Sequence, residues 1–86
     1  MSGNDEYLAL LRRNAERYEE IKHLGDRACH STSRYAETVY EVVMDDETRK
    51  LSDHDLIVLC DRGNACFGGA IRSPRGRTVT VAVYTD

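Results

Sequence analysis

The chain of 86 residues contains no tryptophan, one proline and no long apolar run. Its longest apolar stretches fall far short of the ~18 residues that a membrane-spanning helix requires. The first six residues are polar and acidic, which is unlike the start of an export signal. These absences predict a protein that is neither inserted in a membrane nor secreted, and we expect it to be cytoplasmic.

Cysteine is scarce, and Cys29, Cys60 and Cys66 do not have the spacing of a disulfide framework. Their odd number fits a reducing compartment, and we interpret them as buried thiols that act as small hydrophobic side chains. Zinc needs four ligands, usually offered in pairs two to five residues apart. Cys29 and His30 are adjacent and His54 stands alone, so we predict no metal site and no cofactor.

Catalytic motifs are missing as well. The glycines near residues 63 and 68 lack the lysine and the strand–turn–helix context of a phosphate-binding loop. The sequence Asp53-His54-Asp55 fits the first turn of a helix, where aspartate is favoured, and makes His54 a pH-sensitive position rather than a catalytic one. A chain this short forms one thin core without a deep cleft. We therefore predict that the protein is not an enzyme.

The residues that are present predict one α+β domain over residues 1–86. An amphipathic helix begins near Ser2 or Asn4 and ends at Gly25. Its apolar stripe has the helical spacing of three and four residues: Leu8, Leu11, Ala15, Tyr18, Ile21 and Leu24. We interpret the small and polar residues 26–34 as a connection.

Residues 35–44 fit either a strand or a helix, and their Thr-Val-Tyr-Glu-Val-Val composition favours a strand. A polar turn over residues 45–50 follows. Ser52 and Asp55 form the pattern of a capping box for a short helix over residues 53–61, and Gly63 would end it. A strand over Leu56–Leu59 is the alternative.

The strongest pattern is a β-hairpin formed by residues 66–72 and 77–85, with a type I turn at Ser73–Gly76. Strict alternation in the second strand places Val79, Val81 and Val83 on one face. Gly68-Gly69 marks a bulge or a close approach by the first helix. We also expect Tyr18 and Tyr84 to face the core. The predicted order is α-β-α-β-β, with both helices packed on one face of a three-stranded antiparallel sheet.

Charge is distributed unevenly along the chain. Residues 1–36 are neutral, residues 37–61 carry a net charge of −6, and residues 62–86 carry +3, which gives −3 in total. Ten of the twelve basic residues are arginine, a side chain suited to bidentate contacts, although a GC-rich genome would produce the same bias.

The acidic segment gives the first candidate binding surface, a negative patch that attracts a basic protein partner. Such a partner could itself be a nucleic-acid-binding surface. The candidate residues are Glu37, Glu41, Asp45, Asp46, Glu47, Asp53 and Asp55. The alternative is an ordinary solvated face. If the 36–44 strand lies at a sheet edge, Glu37 and Glu41 also protect that edge from aggregation.

The hairpin tip gives the second candidate surface, with Arg72, Arg75 and Arg77 around one turn. Guanidinium groups bind carboxylates and phosphates equally well, so a protein partner, a nucleic acid and a plain solvated turn remain open. The isoelectric point of about 5.6 disfavours direct nucleic-acid binding.

In size and charge the chain resembles the short proteins with which phages and mobile elements inhibit host machinery, such as anti-CRISPR proteins. This resemblance involves no motif and assigns no role to any residue. Our leading hypothesis is a non-enzymatic protein-binding module, an inhibitor or regulator that occludes a surface of its partner. A nucleic-acid-binding regulator that uses the arginine tip is the alternative, and a subunit of a homo-oligomer is the third possibility.

Overall fold

A computed structural model describes residues 3–62, 67–72 and 76–84 of the chain. In order, these residues form α1 (Gly3–Ile21), β1 (Ala28–Arg34), β2 (Glu37–Val43), α2 (Asp53–Asp61), β3 (Phe67–Arg72) and β4 (Thr78–Tyr84). The strands make one antiparallel sheet in the order β1-β2-β4-β3. The predicted α+β class is confirmed, although the described residues contain four strands instead of three. Short 3₁₀ segments at Lys22–Arg27 and Thr48–Lys50 precede β1 and α2.

The hydrophobic core lies on one face of the sheet, as the alternation in β4 predicts. Val79, Val81 and Val83 are at most 2% exposed and pack with the apolar side chains of α2. Pairing of β3 with β4 confirms the hairpin strands, whereas the turn predicted at Ser73–Gly76 lies largely outside the described residues. Tyr84 follows the alternation to the opposite face and is 45% exposed, so its predicted place in the core is wrong.

Strand β1 is the main feature that the sequence did not indicate, because residues 26–34 were expected to form a connection. Ala28–Arg34 pairs with β2 along one edge of the sheet, and all its residues after Ala28 are exposed. An edge strand without a buried face needs no apolar alternation, and this explains its polar composition. The turn to β2 consists of Tyr35 and Ala36. Ala36 has a φ of 62°, a backbone conformation for which hairpin turns usually use glycine or asparagine.

Strand β2 confirms the strand predicted over residues 35–44. It lies between β1 and β4, so Glu37 and Glu41 do not protect a sheet edge as we had considered. Val42 on the core face is fully buried, and Tyr40 is half-buried against the core.

Helix α2 begins with the predicted capping box. The Asp55 N–H donates to Ser52 Oγ at 3.1 Å, and the Ser52 N–H donates to the Asp55 carboxylate at 3.3 Å. All five residues from Leu56 to Cys60 are buried, because α2 is enclosed by the sheet on one side and α1 on the other. Arg62 adopts the left-handed conformation (φ 58°) that ends the helix, and Gly63, the predicted terminator, lies outside the described residues.

Helix α1 packs on α2, and its buried stripe differs from the predicted one. The α-helix ends at Ile21, and the 3₁₀ segment Lys22–Arg27 carries the buried Leu24 past the expected stop at Gly25. Leu8 is 54% exposed and Ala15 is exposed, whereas Asn14 is 2% exposed. Asn14 Oδ1 accepts a hydrogen bond from His54 Nε2 at 2.8 Å, so a polar contact links the two helices.

Gly68 lies where β3 passes closest to α2. A Cβ atom there would overlap the carbonyl oxygen of Ala82 and lie 3.2 Å from Ile57 Cγ1. The prediction of a close backbone approach is therefore right for Gly68, but the approaching helix is α2 and not α1. The register between β3 and β4 is continuous, so the alternative of a bulge at this position is wrong.

We expect Gly68→Ala to lower the free energy of unfolding by about 1–3 kcal/mol, the usual cost of overpacking, as measured by urea denaturation. Gly69→Ala is the matched control, since a Cβ atom there meets nothing within 4 Å. It should leave stability unchanged or raise it by up to about 1 kcal/mol. Equal effects of the two substitutions would contradict the close packing of β3 on α2.

Candidate functional site

The acidic segment of the sequence does not form one continuous exposed patch. Asp45 is bound within the chain: its Oδ1 accepts from the N–H groups of Glu47 and Thr48, each at 2.9 Å, and its Oδ2 accepts from Arg27 Nε at 2.9 Å. The hydrogen bond from the Thr48 N–H is the main cause that lowers the pKa of Asp45 to about 2, and the Arg27 guanidinium adds to it. Arg27 Nη2 also contacts Glu47 at 3.1 Å.

Thr48 connects this turn to the end of β2 through its side chain. Its side chain is fully buried, its hydroxyl donates to the Val43 carbonyl at 2.8 Å, and the same oxygen accepts the Asp45 N–H at 2.8 Å. Asp45 is therefore part of the connection between β2 and α2. Its neighbours Asp46 and Glu47 are exposed, and of these two Glu47 contacts Arg27.

The two aspartates of α2 are also engaged within the chain. Asp55 accepts two hydrogen bonds of 3.0 Å from the Nε and Nη2 atoms of Arg17 on α1. This bidentate contact is the main reason why the pKa of Asp55 is lowered. Asp53 accepts from Arg72 Nε at 2.8 Å, and Arg72 Nη2 donates to the Leu51 carbonyl at 2.8 Å.

Of the three arginines predicted at the hairpin tip, Arg72 is engaged within the chain. Arg72 lies opposite the buried Val79 in the register, on the core face of the sheet, and its guanidinium binds the start of α2. Arg77 is exposed, and Arg75 lies outside the described residues.

Glu37 and Glu41 lie on the face of the sheet opposite the core, which none of the described helices covers. The two carboxylate oxygens of Glu41 accept hydrogen bonds from Thr78 Oγ1 at 3.1 Å and Thr80 Oγ1 at 2.9 Å. Within the described part of the chain, no cation lies within 4.0 Å of the Glu41 carboxylate. Glu41 is thus a fixed, half-buried negative charge whose only described partners are neutral hydroxyl groups.

Apolar side chains surround Glu41 on this uncovered face, which we call the open face. Its register rows contain Val39, Val43, Ile71, Ala82 and Tyr84. Ile71 is 73% exposed, and Val43 and Tyr84 are each more than 40% exposed. A shallow depression of about 180 Å³ lies over Gly69, between Ile71 and Tyr84. The alternation along β4 puts Thr78, Thr80 and Tyr84 on one face of that strand. Glu41 joins this group only because β2 pairs with β4.

A second recess lies at the C-terminal end of α2. A cavity of about 470 Å³ is bordered by the 3₁₀ segment Lys22–Arg27, the first strands of the sheet and the last turn of α2. The small residues Gly25 and Ala28 leave this space open. No local sequence pattern indicated this recess, because its walls come from five separate elements: α1, the 3₁₀ segment, β1, β2 and α2.

All the cysteine thiols were predicted to be buried, and of the two in the described residues one is buried and one is exposed. Cys60 is buried as expected, and burial raises its pKa to about 12, whereas Cys29 is exposed on β1. Cys66 lies outside the described residues. Among the described residues, no group of three or more histidine, cysteine, aspartate or glutamate side chains could hold a metal ion.

Comparison of the chain with protein-family models, curated proteins and solved structures gives no significant match. Of the helices in residues 3–62, none combines the length and apolar character that crossing a bilayer requires.

The Asp45 contacts give a testable stability effect. Because folding lowers the pKa of Asp45 to about 2, its carboxylate stabilises the fold above its ordinary pKa near 4, and this contribution is lost as the pH falls towards 2. Asp45→Asn should therefore lower the free energy of unfolding at pH 7, and its difference from wild type should shrink at acid pH. Urea denaturation from pH 2 to pH 7 measures this change.

Asp46→Asn is the control, since it removes the neighbouring exposed charge. It should leave the unfolding free energy close to that of wild type throughout the range. A difference for Asp45→Asn that stays constant down to pH 2 would show that the charge of Asp45 is not what stabilises the turn.

Proposed function

We propose that this chain is a non-enzymatic protein-binding module, an inhibitor or regulator that covers a surface of its partner, and that it docks through the open face of its sheet. The observation that carries the proposal is the Glu41 carboxylate, fixed by two threonine hydroxyls in the middle of exposed apolar side chains. The mode of action agrees with the small inhibitor proteins that the chain resembles in size and charge.

The apolar part of the open face supports docking to a protein surface. Ile71, Val43 and Tyr84 are exposed on a rigid sheet, and such side chains add binding energy at little conformational cost when a partner removes them from water. Tyrosine is favoured at protein interfaces because it offers both an apolar ring and a hydroxyl. The depression at Gly69 can receive one protruding side chain of the partner.

The charge of Glu41 indicates what kind of partner surface is complementary. Covering the open face with an apolar surface alone would leave a charge without water or a counter-ion, which is costly. A partner that places an arginine or lysine against Glu41 removes this cost and gains a charge-assisted hydrogen bond. The half-buried Glu37 and the exposed Asp46 add negative potential that attracts a basic surface and raises the association rate.

The remaining acidic candidates contribute less to this surface than the sequence suggested. Asp45, Glu47, Asp53 and Asp55 already have arginine partners within the chain. Arg72 is likewise engaged, which weakens the case for a phosphate-binding arginine tip. We therefore place the docking surface on β2, β3 and β4 and not on the turn at residues 45–47.

The test uses immobilised protein to capture a partner from an extract of the organism that encodes the chain, followed by affinity measurements on the purified pair. Glu41→Gln and Ile71→Ser should each weaken binding by about tenfold or more. Glu41→Gln should also reduce the salt dependence of the association rate, because it removes a charge that faces the partner.

Two matched controls lie away from the open face. Glu16→Gln removes an exposed carboxylate from α1, and Tyr35→Ser removes an aromatic side chain that is 95% exposed. Both should bind within about twofold of wild type. Loss of binding in the controls but not in the open-face variants would overturn the proposal. Capture of nucleic acid with a steep salt dependence would favour the arginine alternative, and self-association by light scattering would favour the homo-oligomer.

A further inference from the structure

The recess at the end of α2 is a second site, separate from the open face and independent of the proposed docking function. Its volume of about 470 Å³ lies within the range of small-molecule sites. Leu59 and Cys60 contribute apolar lining from α2, and the tyrosines Tyr18 and Tyr40 come from α1 and β2. Tyr40 lies opposite the buried Val81, which places the recess on the helix-covered side of the sheet.

Two of the four charged groups that line the recess are already paired with neighbours. Lys22 Nζ is 2.7 Å from Glu19 Oε1, and Asp26 Oδ1 is 3.2 Å from Arg27 Nη1. Asp61 is half-buried and has no ion-pair partner in the described residues. Burial raises its pKa, which reflects the cost of holding this carboxylate out of water. Arg62, the remaining cation, is exposed at the rim.

Two further features favour positive charge at this place. Asp61 is the last residue of α2, so the negative end of the helix dipole lies beside the recess. Tyrosine rings attract cations through their electron-rich faces, and both Tyr18 and Tyr40 contribute to the walls. An anion would instead meet the Asp61 carboxylate and the carbonyl end of the helix, with Lys22 already held by Glu19.

We propose that this recess binds an organic cation, an alkylguanidinium or alkylammonium group, with Asp61 as its counter-ion and Tyr18 and Tyr40 packed against its alkyl chain and charged head. Such a group is present both in free amines and in arginine or lysine side chains. Such a ligand leaves the ion pair between Lys22 and Glu19 intact. It also supplies a counter-ion for Asp61, which has none among the described residues.

The test measures binding by amide chemical shifts in ¹⁵N-labelled protein titrated with n-butylguanidinium. Wild type should bind it with millimolar affinity, and the neutral isostere n-butylurea should bind at least about tenfold more weakly. Asp61→Asn should weaken binding of n-butylguanidinium by about tenfold. Asp26→Asn removes the same charge from the same recess and should change affinity by less than about threefold, because Asp26 is already paired.

Two more variants keep the test decisive if Asp61→Asn does not fold. Arg62→Gln should strengthen binding of the cation or leave it unchanged, whereas a site for anions would lose affinity. Tyr18→Leu should weaken binding by about three- to tenfold through loss of the ring face. Far-UV circular dichroism and thermal unfolding confirm that each variant is folded.

Comparison of n-butylammonium with a blocked Gly-Arg-Gly peptide distinguishes the sources of the cation. Tighter binding of the peptide would indicate a protein side chain, and tighter binding of the free amine a small metabolite. Equal affinity for n-butylurea and n-butylguanidinium, preference for butyl phosphate, or no effect of Asp61→Asn in a folded protein would each overturn the proposal. None of these outcomes changes the expected behaviour of the open-face variants.

Discussion

The fold depends on the burial of α2 between the sheet and α1. A helix of nine residues with five consecutive buried side chains has little intrinsic stability in water, so tertiary packing must hold it in place. The polar first turn of α2 then becomes the place where distant parts of the chain attach. Arg17 reaches it from α1 and Arg72 from β3, and both bind aspartates of that turn.

This constraint changes the meaning of the charge pattern. The sequence separates an acidic segment from an arginine-rich one. The fold pairs Asp53 of the first with Arg72 of the second, and it pairs the other engaged carboxylates with Arg17 and Arg27 of the neutral N-terminal segment. The two proposed recognition groups are defined by position more than by net charge: one carboxylate on the open face and another at the recess. Because desolvated charges select partners strongly, two such groups can give more specificity than a broad acidic surface.

Local patterns predicted the parts of the fold that depend on neighbouring residues. The alternation of Val79, Val81 and Val83 and the capping pair of Ser52 and Asp55 both act over a few positions, and both were recognised. Strand β1 was missed because an exposed edge strand leaves no apolar period and Ala36 replaces the usual turn residue.

The candidate sites were less predictable than the strands and helices. Composition identified the acidic residues, but which carboxylates are used internally depends on contacts such as Arg17 with Asp55, which are 38 residues apart in the chain. The same limit applies to Glu41, whose threonine partners lie on β4, and to Asp61, whose surroundings come from α1 and β2. Pairing of distant elements, which has no local signature, decided each case.

The two described thiols differ in how well the fold shields them. Alkylating reagents react with thiolates, so Cys60, which is 7% exposed and whose burial raises its pKa to about 12, reacts slowly in the folded protein. Cys29 on the exposed edge strand is accessible to the same reagent without any opening. Because Cys60 borders the recess at the end of α2, the ratio of the two modification rates reports how well that recess shields its thiol under native conditions.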